Sequence, residues 1–212
     1  MPRKAMFTKE ELVSAALEIT RESGIGSVTA RELGSRLGCS PRPLFTYFST
    51  VDELKQAVRE RALGLYRLSV RDAIADADIL RGVFMGHVNF AGSEPELFSL
   101  IFESPVRDGE TSLSGLIGET FELAHRRVVS EYSLDEASAG EFIRYLWLLA
   151  HGAASISAAS GIALSDEEAE ALFSRGKRGL LLSFLPDAAL SSDSSGNRNR
   201  SSRDRRFEEW ID

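Results

Sequence analysis

Apolar residues recur at helical spacing along most of the chain, and nearly every run opens on a helix-start signal. In Thr8-Lys9-Glu10-Glu11 the threonine stands three residues before a glutamate, so each side chain can satisfy the other's free backbone N–H, with Phe7 and Leu12 as the hydrophobic staple. This predicts an amphipathic helix ending at Gly24 or Gly26. Thr29 and Glu32 repeat the spacing, with Val28 and Leu33 as staple. Leu33 and Leu37 form an apolar edge, and Gly38 is placed to be a left-handed C-cap. Ser40 is expected to cap a further helix with Pro41 at its first position, directing Leu44 and Phe48 inward at i, i+4. Thr50 and Glu53 open a third box, predicting a long helix over about residues 51–75.

Downstream, Asp76-Ala77-Asp78 precedes a helix expected over about 79–91, and Pro95 opens a short one rich in Leu97, Phe98, Leu100, Ile101 and Phe102. Helices follow over about 113–131, from a box at Ser133–Glu136 through about 159, and from a box at Ser165–Glu168 through about 185. The run Phe142 to Ile156 is apolar nearly all round, which means burial on more than one side. No segment has a convincing period of two, so the expected fold class is all-α. Tyr145 to Ser165 carries no formal charge and is long enough to span a bilayer, but its four serines, His151, Gly152 and Gly161 favour a buried helix over a membrane span. Residues 187–212 are rich in Ser, Asn, Arg and Asp and are expected to be a disordered tail.

A formal net charge of −7 over 212 residues argues against a nucleic-acid partner only until its distribution is read. Residues 1–61 hold ten basic and eight acidic side chains, whereas residues 62–186 hold ten and eighteen. The positive segment is the N-terminal one, and local charge governs attraction to phosphate. Cys39 is the only cysteine, which excludes an internal disulfide and fits a reducing, cytoplasmic setting with no secretory signal. Phosphate-loop, nucleophile-elbow and zinc-protease motifs are absent, so no catalytic residues are assigned. His87, His125 and His151 fall on three separate predicted helices without short ligand spacing, so no metal and no cofactor is expected.

Two short helices joined by a glycine-containing turn, over Thr29 to Phe48, fit a DNA-reading helix-turn-helix or an ordinary αα-hairpin. The surrounding residues add a resemblance. Ala15-Ala16 and Gly24, Val28-Thr29-Ala30-Arg31-Glu32-Leu33, Ser40-Pro41-x-x-Leu44-Phe45-x-Tyr47-Phe48 and Asp52-Glu53-Leu54 together resemble the N-terminal domain of the TetR family of transcriptional repressors. The resemblance implies a helix-turn-helix DNA-binding domain over residues 1–50 and a helical effector-binding and dimerisation domain over 51–186. It implies a homodimer on a palindromic double-stranded DNA operator, and a small-molecule effector whose identity the sequence does not give. The DNA-facing residues it implies are Thr29, Arg31, Ser40, Arg42, Pro43, Phe45, Thr46 and Tyr47. The family more often has Tyr at Phe45, His at Tyr47, a small polar residue at Pro43 and a basic one at Val51, so its base contacts do not transfer directly.

Trp147-Leu148-Leu149-Ala150-His151-Gly152 resembles a Trp-x-x-x-His-Gly element of some members' C-terminal domains. With the aromatic content it nominates Phe84, His87, Phe98, Phe102, Phe121, His125, Trp147 and His151 as effector-binding residues, the alternative being that they are simply core. The last two helices would pair across a two-fold axis through the small residues Ala153, Ala154, Ser157 and Ala158. A rival from another class is a helical adaptor acting through protein partners, by way of an apolar turn at Phe207, Trp210 and Ile211.

Overall fold

The computed structural model describes residues 7–40, 42–74, 78–103, 113–161 and 163–184, of which 113–120 and 123 are described by backbone alone. The expected tail, and with it Phe207, Trp210 and Ile211, lies outside the described residues, as does Pro41. Eight α-helices and two 3₁₀ turns make up the described chain, which contains no strand. They are α1 (Lys9–Ser23), α2 (Ala30–Arg36), α3 (Val51–Ile74), α4 (Ile79–Ser93), α5 (Pro95–Phe102), α6 (Leu113–Tyr132), α7 (Glu136–Ser160) and α8 (Asp166–Ser183).

The local start signals account for most of these boundaries. Reciprocal capping boxes close α1 at Thr8 and Glu11 and α8 at Ser165 and Glu168. Thr29 accepts from the Glu32 N–H at 3.1 Å to start α2, and Asp78 accepts from the N–H groups of Leu80 and Arg81 to start α4. Gly38, at φ 64°, takes the left-handed turn that ends the second helix. At α7 the expected box is wrong by two residues. Ser133 has φ 54°, and Asp135 caps instead, accepting from the Ser138 N–H at 2.9 Å.

The segment expected as a second short helix from Ser40 to Phe48 is not an α-helix. It is a 3₁₀ turn at Leu44–Thr46, without a side-chain cap, in which Phe45, Thr46 and Tyr47 donate to carbonyls three residues back. Pro43 explains the shortening. At the third helical position its missing N–H breaks no intrahelical bond, but its ring disfavours helical geometry at Arg42. Little more than a turn then fits before Ser49. Leu44 and Phe48 still point inward and are buried.

Two apolar clusters carry the fold. One joins α1, α2, Leu44 and Phe48 to α3 and α5, and reaches Phe90, Ala91 and Ala154. The other joins the start of α4 to α6, α7 and α8 through Phe84, Phe142, Ile143, Leu146 and Phe173. Helices α3 and α4 cross closely because Gly82 and Gly86 leave room. A Cβ at Gly82 would sit 2.6 Å from the Ile74 Cα, and one at Gly86 would sit 2.9 Å from the Val70 Cα. Ala154 and Ser157 are buried within the subunit, so they do not form the expected two-fold contact face. The all-round apolar pattern of α7 concealed which side faces inward. Its outward side is Tyr145, Leu148, Gly152 and Ile156, with Ile156 70% exposed. No described helix is long and apolar enough to cross a membrane.

Candidate nucleic-acid interface and effector cavity

The N-terminal helices present their polar edge outward around the 3₁₀ turn. Thr29, Arg31, Ser40, Arg42, Phe45, Thr46 and Tyr47 are exposed, and Pro43 is half-buried between them and the core. Arg31 and Arg42 make no ion pair among the described residues, which leaves both guanidinium forks free to meet phosphate or a guanine edge. Arg36, by contrast, is tied to Glu22. Phe45 is 55% exposed, an unusual place for a phenyl ring unless it meets an apolar group such as a thymine methyl. The supporting shell is firm: Leu33, Leu44 and Phe48 are buried beneath this surface, and the Lys9 ammonium lies 5.3 Å from the Phe48 ring centre.

Polar contacts then tie this unit to the rest of the chain at places the sequence did not mark. Arg21 at the end of α1 makes a two-pronged contact with Glu94, with Nη2 2.6 Å and Nε 2.9 Å from carboxylate oxygens, and this pairing holds the guanidinium charged. Arg59 of α3 is buried and donates to the Ile101 carbonyl at 3.2 Å. Both partners flank or belong to α5, so the N-terminal unit rests on α3 and α5 together.

Behind α5 lies a buried polar chain. The Tyr66 hydroxyl on α3 is 3.0 Å from His87 Nδ1 on α4, and His87 Nε2 is 3.2 Å from His151 Nδ1 on α7. Among the described residues the Tyr66 hydroxyl has no second partner, so the arrangement that leaves no hydrogen stranded has Tyr66 donating to His87 and His87 donating to His151. His87 is wholly buried, and that burial, aided by the neighbouring His151, brings its pKa down to about 3. Burial also lowers His151, against the opposing pull of Glu103. Phe98 and Phe102 stand within 5.3 Å of the His87 ring centre, and Trp147 stacks flat on His151 at 4.8 Å with planes 9° apart. Tyr66 was missed from sequence. A tyrosine on the inward stripe of a long helix, whose hydroxyl must find a partner, was the available signal.

Beside Trp147 an apolar cavity of about 30 Å³ lies between α4, α6 and α7, lined by Leu80, Val83, Phe84, Phe121, Ala124, Ile143, Leu146, Trp147 and Ala150. Of the expected effector residues, Phe84, Phe121 and Trp147 therefore line the cavity. His87, Phe98, Phe102 and His151 pack against one another beside it. His125 lines neither: its ring stacks behind Phe121 at 6.4 Å, and its Nε2 donates to the Glu136 carbonyl at 2.9 Å and pins α6 to the start of α7.

Taken together, the chain is a small helical unit with an exposed basic and hydroxyl-bearing edge, joined by a long helix to a helical bundle with an internal apolar cavity. The comparisons agree with that fold. Residues 80–180 match the family model described as tetracyclin repressor-like, C-terminal domain. The crystal structure of BioQ superposes with a TM-score of 0.52 at 20% identity, covering 85% of this chain and 99% of that one. A TetR variant from Acinetobacter baumannii AYE, solved in complex with minocycline, superposes with a TM-score of 0.54 at 21% identity, covering 84% and 96%. At such identities the likeness is one of fold. A curated HTH-type transcriptional regulator from Saccharopolyspora erythraea is 30% identical over 91 residues, 40% of this chain, and that match spans 39% of the relative's length.

Proposed function

We propose that this chain is a TetR-type transcriptional regulator, a cytoplasmic homodimer that binds a palindromic operator and whose affinity is set by a small apolar effector. In this reading residues 1–50 meet DNA, 51–186 dimerise and hold the effector, and repression follows from occupancy of the operator. The observation that carries it is the exposed pair Arg31 and Arg42, unpaired beside Thr29, Ser40, Thr46 and Tyr47 on a surface whose underside is packed core. Arginine forks and hydroxyls at the end of a short helical unit suit phosphate and base edges.

The outward stripe of α7, with Tyr145, Leu148 and Ile156 43%, 51% and 70% exposed, is the apolar surface a two-fold partner would cover. A dimer on this face sets the distance between two reading units, which must be about 34–36 Å to meet successive major grooves. Effector binding would shift that distance through α3 and α5, both of which contact the aromatic and histidine cluster beside the cavity. The test is selection of bound DNA from a random duplex pool by the purified full chain. A palindrome should emerge, and Arg42→Ala should cost ~1–3 kcal/mol of operator affinity and relax preference at one position per half-site. Recovery of no consensus sequence would count against the regulator and in favour of an adaptor role.

A further inference from the structure

We propose that the cavity between α4, α6 and α7 takes a neutral, largely hydrocarbon molecule bearing one hydrogen-bond acceptor, a ketone, ester or ether oxygen, which accepts from the Trp147 indole N–H. The walls decide the first half of this. Leu80, Val83, Phe84, Phe121 and Ile143 offer apolar carbon, and among the described residues no acidic or basic side chain lines the space. A charged ligand would leave water there without compensation, which is far too costly.

Trp147 decides the second half. It lines the cavity, and its Nε1 is closed off from solvent with no hydrogen-bond partner. It is the one such side-chain atom among the described residues. Indole N–H is a donor only, and a buried one ordinarily finds an acceptor. Water is a poor candidate. About 30 Å³ would admit a water molecule, but a water needs two to four polar partners and the described walls supply one. The complement that satisfies the donor and suits the walls is therefore an acceptor carried on an apolar body. Such a ligand exceeds the present space, and Val83, Phe121 and Trp147, all half-buried, are the wall residues with room to give way.

The same indole is coupled to the rest of the fold. Trp147 lies flat on His151, which is bonded through His87 to Tyr66 of α3. A ligand that reseats the indole acts on that chain of bonds and so on the helix leading to the reading unit. This consequence rests on the regulatory reading above; binding itself does not.

The experiment uses the full chain with Trp210→Phe, so that one indole remains, and compares cyclohexanone with its near-isostere methylcyclohexane. Cyclohexanone should raise the melting temperature, move the Trp147 indole N–H proton signal downfield, and bind at least tenfold tighter than the hydrocarbon. In a Trp147→Phe variant the two should bind equally, with the aromatic wall kept and the donor gone. Absence of ketone binding, equal binding of the two probes to the parent chain, or a ketone preference that survives Trp147→Phe overturns the proposal. Ketone binding that leaves operator affinity unchanged upholds the site and contradicts the regulatory reading instead.

Discussion

Acidification from pH 7.5 to pH 5 should loosen this fold through His87. The imidazole is fully enclosed, accepts the Tyr66 hydroxyl at Nδ1 and meets His151 at Nε2. Burial, and second the adjacent His151, bring its pKa from the ordinary 6.5 to about 3. Between those two values the unfolded chain binds the proton and the folded chain does not, so stability rises with pH across the window. The contribution is complete above pH 6.5 and is lost progressively as pH falls towards 3. One pKa unit is worth about 1.4 kcal/mol, so at pH 5 the loss from this group is about 2 kcal/mol, and over the whole window it is on the order of 5 kcal/mol. His151, also lowered by burial, acts in the same direction. The cap carboxylates Glu11, Asp135 and Glu168 are lowered chiefly by their backbone hydrogen bonds, and their contribution begins to fade only near their unfolded values of about 4. Urea unfolding at pH 7.5, 6.5, 5.5 and 5.0 reads the effect directly. His87→Phe should be less stable at pH 7.5, because Tyr66 loses its partner, yet show a much flatter dependence between pH 6.5 and 5. Equal slopes for the two proteins, or a wild-type stability that does not change over that range, would refute the reasoning.

Other consequences of the packing can be checked in parallel. Gly82→Ala should destabilise by ~1–3 kcal/mol in denaturant titrations, because the new methyl meets the α3 backbone. Gly64→Ala, with open space around it, should stabilise by ~0.5–1 kcal/mol. Ile156→Arg should give a monomer by sedimentation with an unchanged circular dichroism spectrum, since that side chain is 70% exposed in the subunit. Arg21→Ala should leave the fold intact but weaken the influence of any effector on DNA affinity, because the Glu94 contact joins α1 to the junction of α4 and α5. A double titration of operator and cyclohexanone measures that coupling.

What was legible in the sequence was local. The boxes at Thr8 and Ser165 work because both partners lie within one turn, and the left-handed residue at Gly38 follows from its place after an apolar edge. The segment after Ser40 misled for an equally local reason: a proline at the first helical position helps a helix, but Pro43 two residues on disfavours helical geometry at the residue before it. The wrong cap at Ser133 shows how closely spaced candidates compete, because Asp135 also stands three residues before a side chain it can hold. The inner site was not legible. Tyr66, His87 and His151 meet across separations of 21 and 64 residues, and nothing in their spacing announces it. The structure divides the aromatic set, with Phe84, Phe121 and Trp147 on the cavity, and periodicity could not show this because it places Phe84 and Phe98 inward without saying which borders a cavity. Size alone points to Ala153, Ala154, Ser157 and Ala158 as the contact face, whereas the helix turns Ala154 and Ser157 inward and Leu148 and Ile156 outward.

Affinity of the full chain for a palindrome selected from random DNA, titrated against a scrambled duplex at fixed salt with stoichiometry read in the same experiment, tests the regulator most directly. Two subunits should bind one palindrome with half-site centres about one helical turn apart or a multiple of it, at least ~10³-fold tighter than the scrambled duplex. Arg42→Ala should reduce that ratio. Equal affinity for the two duplexes, or a single subunit protecting the whole palindrome, would contradict a dimeric operator-reading regulator.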